Sequence, residues 1–145
     1  MDYPSDFKEF IELLNEKKVE YLIVGGYAVA HHGYPRYTGD IDIWFKASVD
    51  NVLKLKEVIS DFGLSSLGLN DQDLLTAEKV IQIGYPPIRI DLMNSIDGVE
   101  FDACYRSKVV GTTLGFPVNF ISLADLKINK KATNRHRDLD DLEHL

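Results

Sequence analysis

The chain has 145 residues, of which 45% are hydrophobic, and its formal net charge is -7. This length suits one domain, residues 1–145, and the apolar content is enough for a core, which excludes global disorder. The acidic balance disfavours bulk binding to DNA or to a membrane surface, because the phosphates of both attract cations.

The remaining bulk features concern the cellular compartment. The only cysteine, Cys104, has no partner for an internal disulfide, which is typical of proteins from reducing compartments. The first ten residues, MDYPSDFKEF, are acidic and polar rather than a secretory signal. No apolar run reaches the roughly 18 residues of a membrane span. We therefore expect a cytoplasmic protein without a membrane partner.

The first half of the chain predicts three helices and two strands. In order these are helix 6–17, strand 21–26, helix 27–32, strand 40–45 and helix 49–62. Ser5 or Asp6 is the expected N-cap of the first helix, with Glu9 completing a capping box with Asp6. Ser48 is the expected cap of the third helix, and Gly63 its end.

The second half predicts two further strands and several helices. In order these are a loop over 64–78 with room for a short helix, strands 80–85 and 88–93 around a turn at Pro86-Pro87, a short helix within 99–106, a small strand pair around Gly111–Gly115, and two helices from Ser122 to the end. This order predicts a mixed α/β or α+β domain with a C-terminal helical segment.

Two aspartates stand in the apolar strand DIDIWF, residues 40–45. Alternate residues of a strand share a face, so Asp40 and Asp42 point the same way, roughly 6–7 Å apart at Cα. Two carboxylates this close repel each other. Bound Mg²⁺ or Mn²⁺ would relieve the repulsion and would bring a phosphate substrate with it.

The pattern Asp-x-Asp is weak evidence by itself. It recurs at Asp71/Asp73 and at Asp138/Asp140, and both of these pairs are interpreted as solvated helix starts or faces. For Asp40 and Asp42 the alternative is a polar face on an exposed strand.

A third acid, Asp91, lies in the apolar strand IRIDLM, residues 88–93. If the two acidic strands are neighbours, Asp91 completes a cluster with Asp40 and Asp42. Three carboxylates can hold two divalent ions, the arrangement used for in-line phosphoryl or nucleotidyl displacement. A second interpretation, in which Asp91 pairs with Arg89 or another cation, stays open.

Glycines and cations offer contacts for a nucleotide. Gly25 and Gly26 follow a strand and precede a helix, where the backbone can approach a phosphate; a plain tight turn is the alternative. The basic tail includes Lys130 and Arg135, which can bind a triphosphate or form a solvated face that balances nearby acids. Two further residues, Arg36 and Thr38, precede the acidic strand and either touch the nucleotide or fix the loop.

Together, three stretches resemble the nucleotidyltransferase superfamily typified by DNA polymerase beta. They are VGGYAVAHHGYPRYTGDIDIWF (24–45), IRIDLM (88–93) and LADLKINKKATNRHRDLDDLEHL (123–145). The likeness covers Tyr21 to Leu145 and extends to small bacterial and archaeal nucleotidyltransferase-like proteins, including the abortive-infection toxin type. It implies a short mixed sheet, mostly antiparallel at the active edge, with helices packed on it.

The resemblance also implies roles for individual residues. It makes Gly25 and Gly26 phosphate contacts, Asp40 and Asp42 paired metal ligands, and Asp91 the acid that helps activate the attacking group. In the tail, Lys130 and Arg135 match recurring basic positions. The chain has Gly-Gly where many relatives have Gly-Ser. Many members carry an added acceptor-binding domain, and here we expect little beyond the catalytic lobe and the terminal helices.

The leading hypothesis is a magnesium-dependent nucleotidyltransferase. It would move a nucleoside monophosphate from an NTP to a hydroxyl of a protein, a tRNA end or a small molecule. The alternative is a catalytically weak or inactive nucleotide- or partner-binding module of the same fold, within a toxin–antitoxin pair or a homo-oligomer. A metal-dependent phosphohydrolase ranks lowest.

Overall fold

The computed structural model describes residues 3–64, 68–76, 79–85 and 87–145. Its elements are α1 Ser5–Glu16, β1 Tyr21–Val24, α2 Gly25–His31, β2 Asp40–Phe45, α3 Val49–Asp61, α4 Asp71–Leu75, β3 Val80–Tyr85, β4 Ile88–Met93, α5 Phe101–Arg106, β5 Val109–Gly111, β6 Val118–Phe120, α6 Leu123–Thr133 and α7 His136–His144. Parts of the predicted segment 64–78, the first proline of the Pro86-Pro87 turn and residues 1–2 lie outside the described residues. None of the helices described is long and apolar enough to cross a membrane.

The strands form one mixed sheet in the order β3-β4-β2-β1-β6-β5. Pairs β3–β4, β1–β2 and β5–β6 are antiparallel, whereas β2–β4 and β1–β6 are parallel. The predicted fold class, a short mixed sheet with flanking helices and a C-terminal helical segment, is confirmed. The two acidic strands, β2 and β4, form a parallel pair, so the sheet around the acids combines both pairing directions.

Strand β2 follows the alternation that its sequence predicts. Ile41, Ile43 and Phe45 are at most 1% exposed and belong to the same core as the buried side chains of α1 and α3. On the opposite face, Asp40 and Asp42 are partly accessible. Trp44 shares that face but is buried, with the Phe101 ring packed edge-on at 5.2 Å. The acidic face is therefore open at its aspartates and covered at Trp44.

The boundaries of several elements differ from the sequence prediction, among them those of α1 and β1. Helix α1 begins at Ser5 after Pro4 and has no side-chain cap, so the cap and capping box assigned to Ser5, Asp6 and Glu9 are wrong. Ser5 already lies inside the helix, and the proline that precedes it has no side-chain acceptor. Strand β1 ends at Val24 rather than at residue 26, because Gly25 turns the chain with a φ of 65°.

The start of α3 agrees with the prediction. The Ser48 side chain accepts a hydrogen bond from the Asn51 backbone N–H at 3.3 Å, as an N-cap does. Gly63 follows the helix with a φ of 96°, a conformation that favours glycine after a helix end.

Candidate active site

The three predicted acids meet because β2 and β4 are neighbours. Their parallel register makes Asp42 and Asp91 direct Cα partners, and it pairs Asp40 with Arg89 in the same way. Asp91 is 6% exposed, whereas the Asp40 side chain is 40% exposed. The acids are therefore side by side on one sheet face, with Asp91 as the deeply buried member.

Arg89 binds two of the three acids. Its Nε and Nη2 donate to the two carboxylate oxygens of Asp91 at 2.8 and 3.0 Å, and Nη2 also donates to Asp40 Oδ2 at 2.9 Å. The planar guanidinium suits this forked contact. Of the two interpretations left open by the sequence, the pairing of Asp91 with Arg89 is therefore present, within the acid cluster itself.

These contacts determine how the acids fit a metal ion. Within the described ranges, no group of three or more His, Cys, Asp or Glu side chains is arranged to hold one. A magnesium ion commonly uses one or two protein carboxylates together with substrate phosphates. Asp42 and Asp91 provide two neighbouring carboxylates, whereas a second ion at Asp40 and Asp91 would have to compete with Arg89.

Asp42 has the most perturbed environment of the three acids. Burial, followed by the nearby charges of Asp91 and Asp40, raises its pKa from 3.8 to about 6, while Lys130 and Arg89 act in the opposite direction. No salt bridge joins Asp42 to a side chain in the described part of the chain. A cation that reaches Asp42 would therefore stabilise its ionised form, which burial and the two neighbouring acids disfavour.

Gly25 is required by the position of Asp42. A Cβ atom at residue 25 would overlap the Asp42 carboxylate, and the φ of 65° is one that L side chains rarely adopt. At Gly26 a side chain is disfavoured by a different neighbour, because a Cβ there would lie 3.0 Å from the Thr38 side chain. Thr38 Oγ1 in turn donates to the Asp40 backbone oxygen at 3.1 Å. Because they have no side chains, Gly25 and Gly26 thus allow Asp42 and Thr38 to pack closely against the start of α2.

A cleft of about 440 Å³ opens beside the acids. Its lining includes acidic, basic, apolar and uncharged polar residues. They are Val24, Gly25, Asp42, Val80, Asp91, Met93, Ser95, Ile96, Asp97, Asn129, Lys130, Thr133 and Arg135. Of the nine residues predicted for the site, this lining includes Gly25, Asp42, Asp91, Lys130 and Arg135. The volume of the cleft lies within the range of small-molecule sites.

Lys130 enters the cleft from a buried ionic cluster. The lysine is 4% exposed, and its Nζ lies 3.0 Å from Asp138 Oδ1 and 3.1 Å from Asp141 Oδ2. Arg135, whose side chain is 71% exposed, adds a contact from Nε to Asp138 Oδ2 at 2.8 Å. Asp138 therefore holds both cations of the cleft.

The interpretation of Asp138 as a solvated charge is wrong. Both Asp138 and Asp141 are 0% exposed, whereas Asp140 between them is 53% exposed at its side chain. Burial alone would raise the pKa of Asp138, but hydrogen bonds, among them those from Arg135 and Lys130, outweigh it and hold this pKa well below its ordinary range. The pKa of Asp141 is lowered by the same balance.

The other solvated pair, Asp71 and Asp73, behaves as predicted at a helix start. Asn70 caps α4 and forms a capping box with Asp73, and Asp71 lies in the first turn beside Lys56. These acids interact with local groups and not with the cleft.

Arg36 pairs with Asp141 of α7 and not with the three acids of the strands. Its Nε and Nη2 donate to the two oxygens of Asp141 at 2.8 and 2.9 Å, a bidentate pair across 105 residues of sequence. Arg36 and Thr38 line a different cleft of about 500 Å³, together with Tyr27 and Tyr37. Their contacts hold the loop before β2 in place, which is one of the two roles that the sequence left open.

Sequence reasoning missed two features of the site and its surroundings. It assigned Asp138 to solvent, although the i, i+3 spacing puts Asp138 and Asp141 on one face of α7. Asp97 also lines the cleft, and the Asn129 side-chain amide donates to its backbone oxygen at 2.9 Å. No signal marks Asp97 in the sequence, because it lies in an irregular loop.

The comparisons with known proteins bear on the fold. No protein-family model and no curated protein matches the chain. Among solved structures, a "putative nucleotidyltransferase" from Thermotoga maritima is similar over 94% of this chain and 86% of that chain, with a TM-score of 0.59 and 15% sequence identity. At this identity the likeness shows the fold alone. The chain therefore has a nucleotidyltransferase-like fold.

Proposed function

We propose that the protein transfers a nucleoside monophosphate from an NTP to a hydroxyl acceptor. The supporting observation is that Asp42 and Asp91 lie side by side across one cleft from Lys130 and Arg135. Carboxylates and cations in one cleft suit a triphosphate accompanied by a divalent ion. The nucleotidyltransferase-like fold is consistent with this chemistry, but a fold by itself does not define a function.

In this proposal the cations bind the triphosphate. An ammonium has three N–H donors. The contacts of Lys130 with Asp138 and Asp141 use two of them. Its remaining donor is available to a phosphate oxygen. Arg135 contacts Asp138 through Nε and Nη2, so its other terminal nitrogen is available to the same ligand. Both cations are thus oriented by Asp138 before the nucleotide binds.

The acids orient the reacting groups. Asp42 and Asp91 would hold Mg²⁺ or Mn²⁺, which neutralises charge on the phosphates. The acceptor hydroxyl donates a hydrogen bond to an acid of the cluster and attacks the α-phosphorus. The bond from Pα to the pyrophosphate oxygen breaks, pyrophosphate leaves, and the hydroxyl proton passes to the carboxylate and then to solvent. The acceptor is a protein, a tRNA end or a small molecule.

One observation favours a second function, a nucleotide-binding module without turnover. Arg89 already engages Asp40 and Asp91, so two of the three acids have a cation before any ligand binds. Such a module would bind an NTP with Mg²⁺ and release it unchanged.

Labelled nucleotides separate these functions. Each α-³²P NTP is incubated with Mg²⁺ and the protein alone, a tRNA pool or a small-molecule hydroxyl panel. We expect label on one acceptor, and Asp42→Asn should lower the rate by roughly two orders of magnitude or more. The exposed Glu12 provides a matched control, Glu12→Gln, which should behave as wild type.

The outcomes discriminate clearly. Equal labelling by wild type and Asp42→Asn would contradict the role of Asp42. An NTP that raises the melting temperature but never transfers label supports the binding module. Release of free phosphate from a γ-labelled NTP, without transfer, indicates hydrolysis.

A further inference from the structure

Arg89 is held rigidly among the acids. Its guanidinium contacts both oxygens of Asp91 and one oxygen of Asp40, and its side chain is 22% exposed. Its backbone is held as well, because Arg89 lies in β4 opposite Asp40 and its N–H donates to the Gly39 oxygen at 3.3 Å. Both the side chain and the backbone of Arg89 are therefore hydrogen-bonded, and its guanidinium belongs to the acid cluster before any ligand binds.

We propose that Arg89 takes the place of a second metal ion, so that the acid cluster binds one divalent cation, at Asp42 and Asp91. This inference rests on the proposed function, because it concerns the ion that accompanies the nucleotide. Its basis is that a second ion between Asp40 and Asp91 would have to compete with Arg89 Nη2, which donates to both Asp40 Oδ2 and Asp91 Oδ2. That ion would also face the positive guanidinium at close range, where like charges repel.

The charges of the cluster balance with one ion. Three carboxylates contribute three negative charges, and Arg89 contributes one positive charge. One divalent cation makes the sum zero, whereas two would leave an excess of positive charge before the triphosphate arrives. Lys130 belongs to a neighbouring ionic cluster, in which Asp138 and Asp141 pair with it and also with Arg135 and Arg36.

The location of the single ion follows from the contacts of the three acids. Asp40 and Asp91 each have a cation partner, and Asp42 has none within the described residues. Asp42 also lines the cleft, with Gly25 and Asp91 beside it. The ion therefore binds at Asp42 and Asp91 where they line the cleft, and Arg89 positions Asp91 and Asp40.

The number of bound Mn²⁺ ions tests this inference. Free Mn²⁺ is measured by electron paramagnetic resonance during titration of the protein, alone and with α,β-methylene analogues of ATP, GTP, CTP and UTP. We expect wild type to bind one ion per chain and Arg89→Met to bind two, because methionine frees the oxygens of Asp40 and Asp91. Arg106→Met, at an exposed arginine of α5, is the matched control and should bind one ion.

A second variant covers the case in which Arg89→Met does not fold. Arg89→Lys keeps the charge as a single ammonium, which does not reproduce the fork on both acids, and we expect a weaker second Mn²⁺ site to appear. Circular dichroism checks the fold of each variant. A purely structural role for Arg89 would alter stability without altering the number of ions.

Each outcome has a defined meaning. Two ions on wild type, no ion on wild type, or a single ion on folded Arg89→Met would each overturn the inference. If none of the four analogues binds and no label is transferred, the proposed function fails. The Mn²⁺ count without nucleotide then still decides the role of Arg89, so the two failures are distinguishable.

Discussion

Gly25 and Asp42 are in close contact at the cleft, and each restricts the other. Gly25 leaves the space that one Asp42 oxygen occupies, and its φ of 65° turns the chain from β1 into α2. A side chain at residue 25 would therefore disturb the fold and the acid cluster together.

We expect Gly25→Ala to lower the free energy of unfolding by about 2–4 kcal/mol, from left-handed backbone strain plus the overlap with Asp42. Gly68 has nearly the same φ, 64°, but open space around it. Gly68→Ala should therefore cost only about 1 kcal/mol. Urea denaturation measures both. An equal loss in the two variants would show that the overlap with Asp42 is unimportant.

The charge on Asp42 opposes folding near neutral pH. Its pKa is raised from 3.8 to about 6 by burial and by the other acids, so the folded state binds this proton more tightly than the unfolded chain. The associated stability is fully present below about pH 4 and is lost as the pH rises through about 6.

Asp42→Asn should therefore be more stable than wild type at pH 8, by about 1–3 kcal/mol, and this gain should vanish near pH 4. Urea unfolding at both pH values measures the difference, with Glu12→Gln as the control that gains nothing at either pH. A gain of the same size at pH 4 and pH 8 would argue against a raised pKa. The same substitution should slow the proposed transfer, so we expect stability and activity to change in opposite directions at this residue.

Helix α7 packs through charges rather than through an apolar stripe. Its buried residues are Asp138 and Asp141, whereas Leu139 is 45% exposed. Lys130 of α6 lies between the two acids, and Arg36 of the loop before β2 completes the contact with Asp141. The helix is thus attached to the cleft by buried ion pairs, which lose much of their value when one partner is removed.

We expect Lys130→Met to destabilise the fold by about 3–5 kcal/mol, because it leaves two buried carboxylates without their shared cation. The neighbouring Lys131 is exposed, and Lys131→Met should change stability by less than about 0.5 kcal/mol. Urea unfolding compares the variants, and hydrogen exchange in α7 reports whether the helix has loosened. Similar stability of the two variants would mean that the cluster contributes little.

The architecture of the sheet brings together residues that are remote in sequence. Asp42 and Asp91 are neighbours because β4 pairs with β2 in parallel, while β1 lies on the other side of β2 and supplies the turn at Gly25. The helices at the C-terminus then close the cleft with Lys130 and Arg135. The candidate site therefore requires the ordered stacking of β4, β2 and β1 and the attachment of α6 and α7.

Much of the fold was predictable from local patterns. The strands at 40–45, 80–85 and 88–93 have the bounds predicted from apolar alternation and turn residues, and the Ser48 cap follows from its hydroxyl. The capping prediction for α1 failed, because Pro4 precedes the helix and Ser5 lies inside it. Such patterns report what a residue does with its near neighbours.

The candidate site was predictable only in part. The acids at 40, 42 and 91 stood out because charges are unusual in apolar strands, but their proximity depended on a strand pairing that the sequence did not specify. Asp138 and Asp141 looked like ordinary surface charges, and their burial depends on Lys130 and on Arg36, which lies 105 residues away from Asp141.

The sequence by itself determined which residues are candidates for the site: glycines at the end of β1, acids on one face of two strands, and cations in the tail. Those properties follow from residue type and from the periodicity of each element. The tertiary structure decided which charges neutralise one another. Arg89 pairs with Asp40 and Asp91, and Lys130 pairs with Asp138 and Asp141 of α7. Burial and ion pairing depend on distances across the folded chain, and no local pattern encodes those distances.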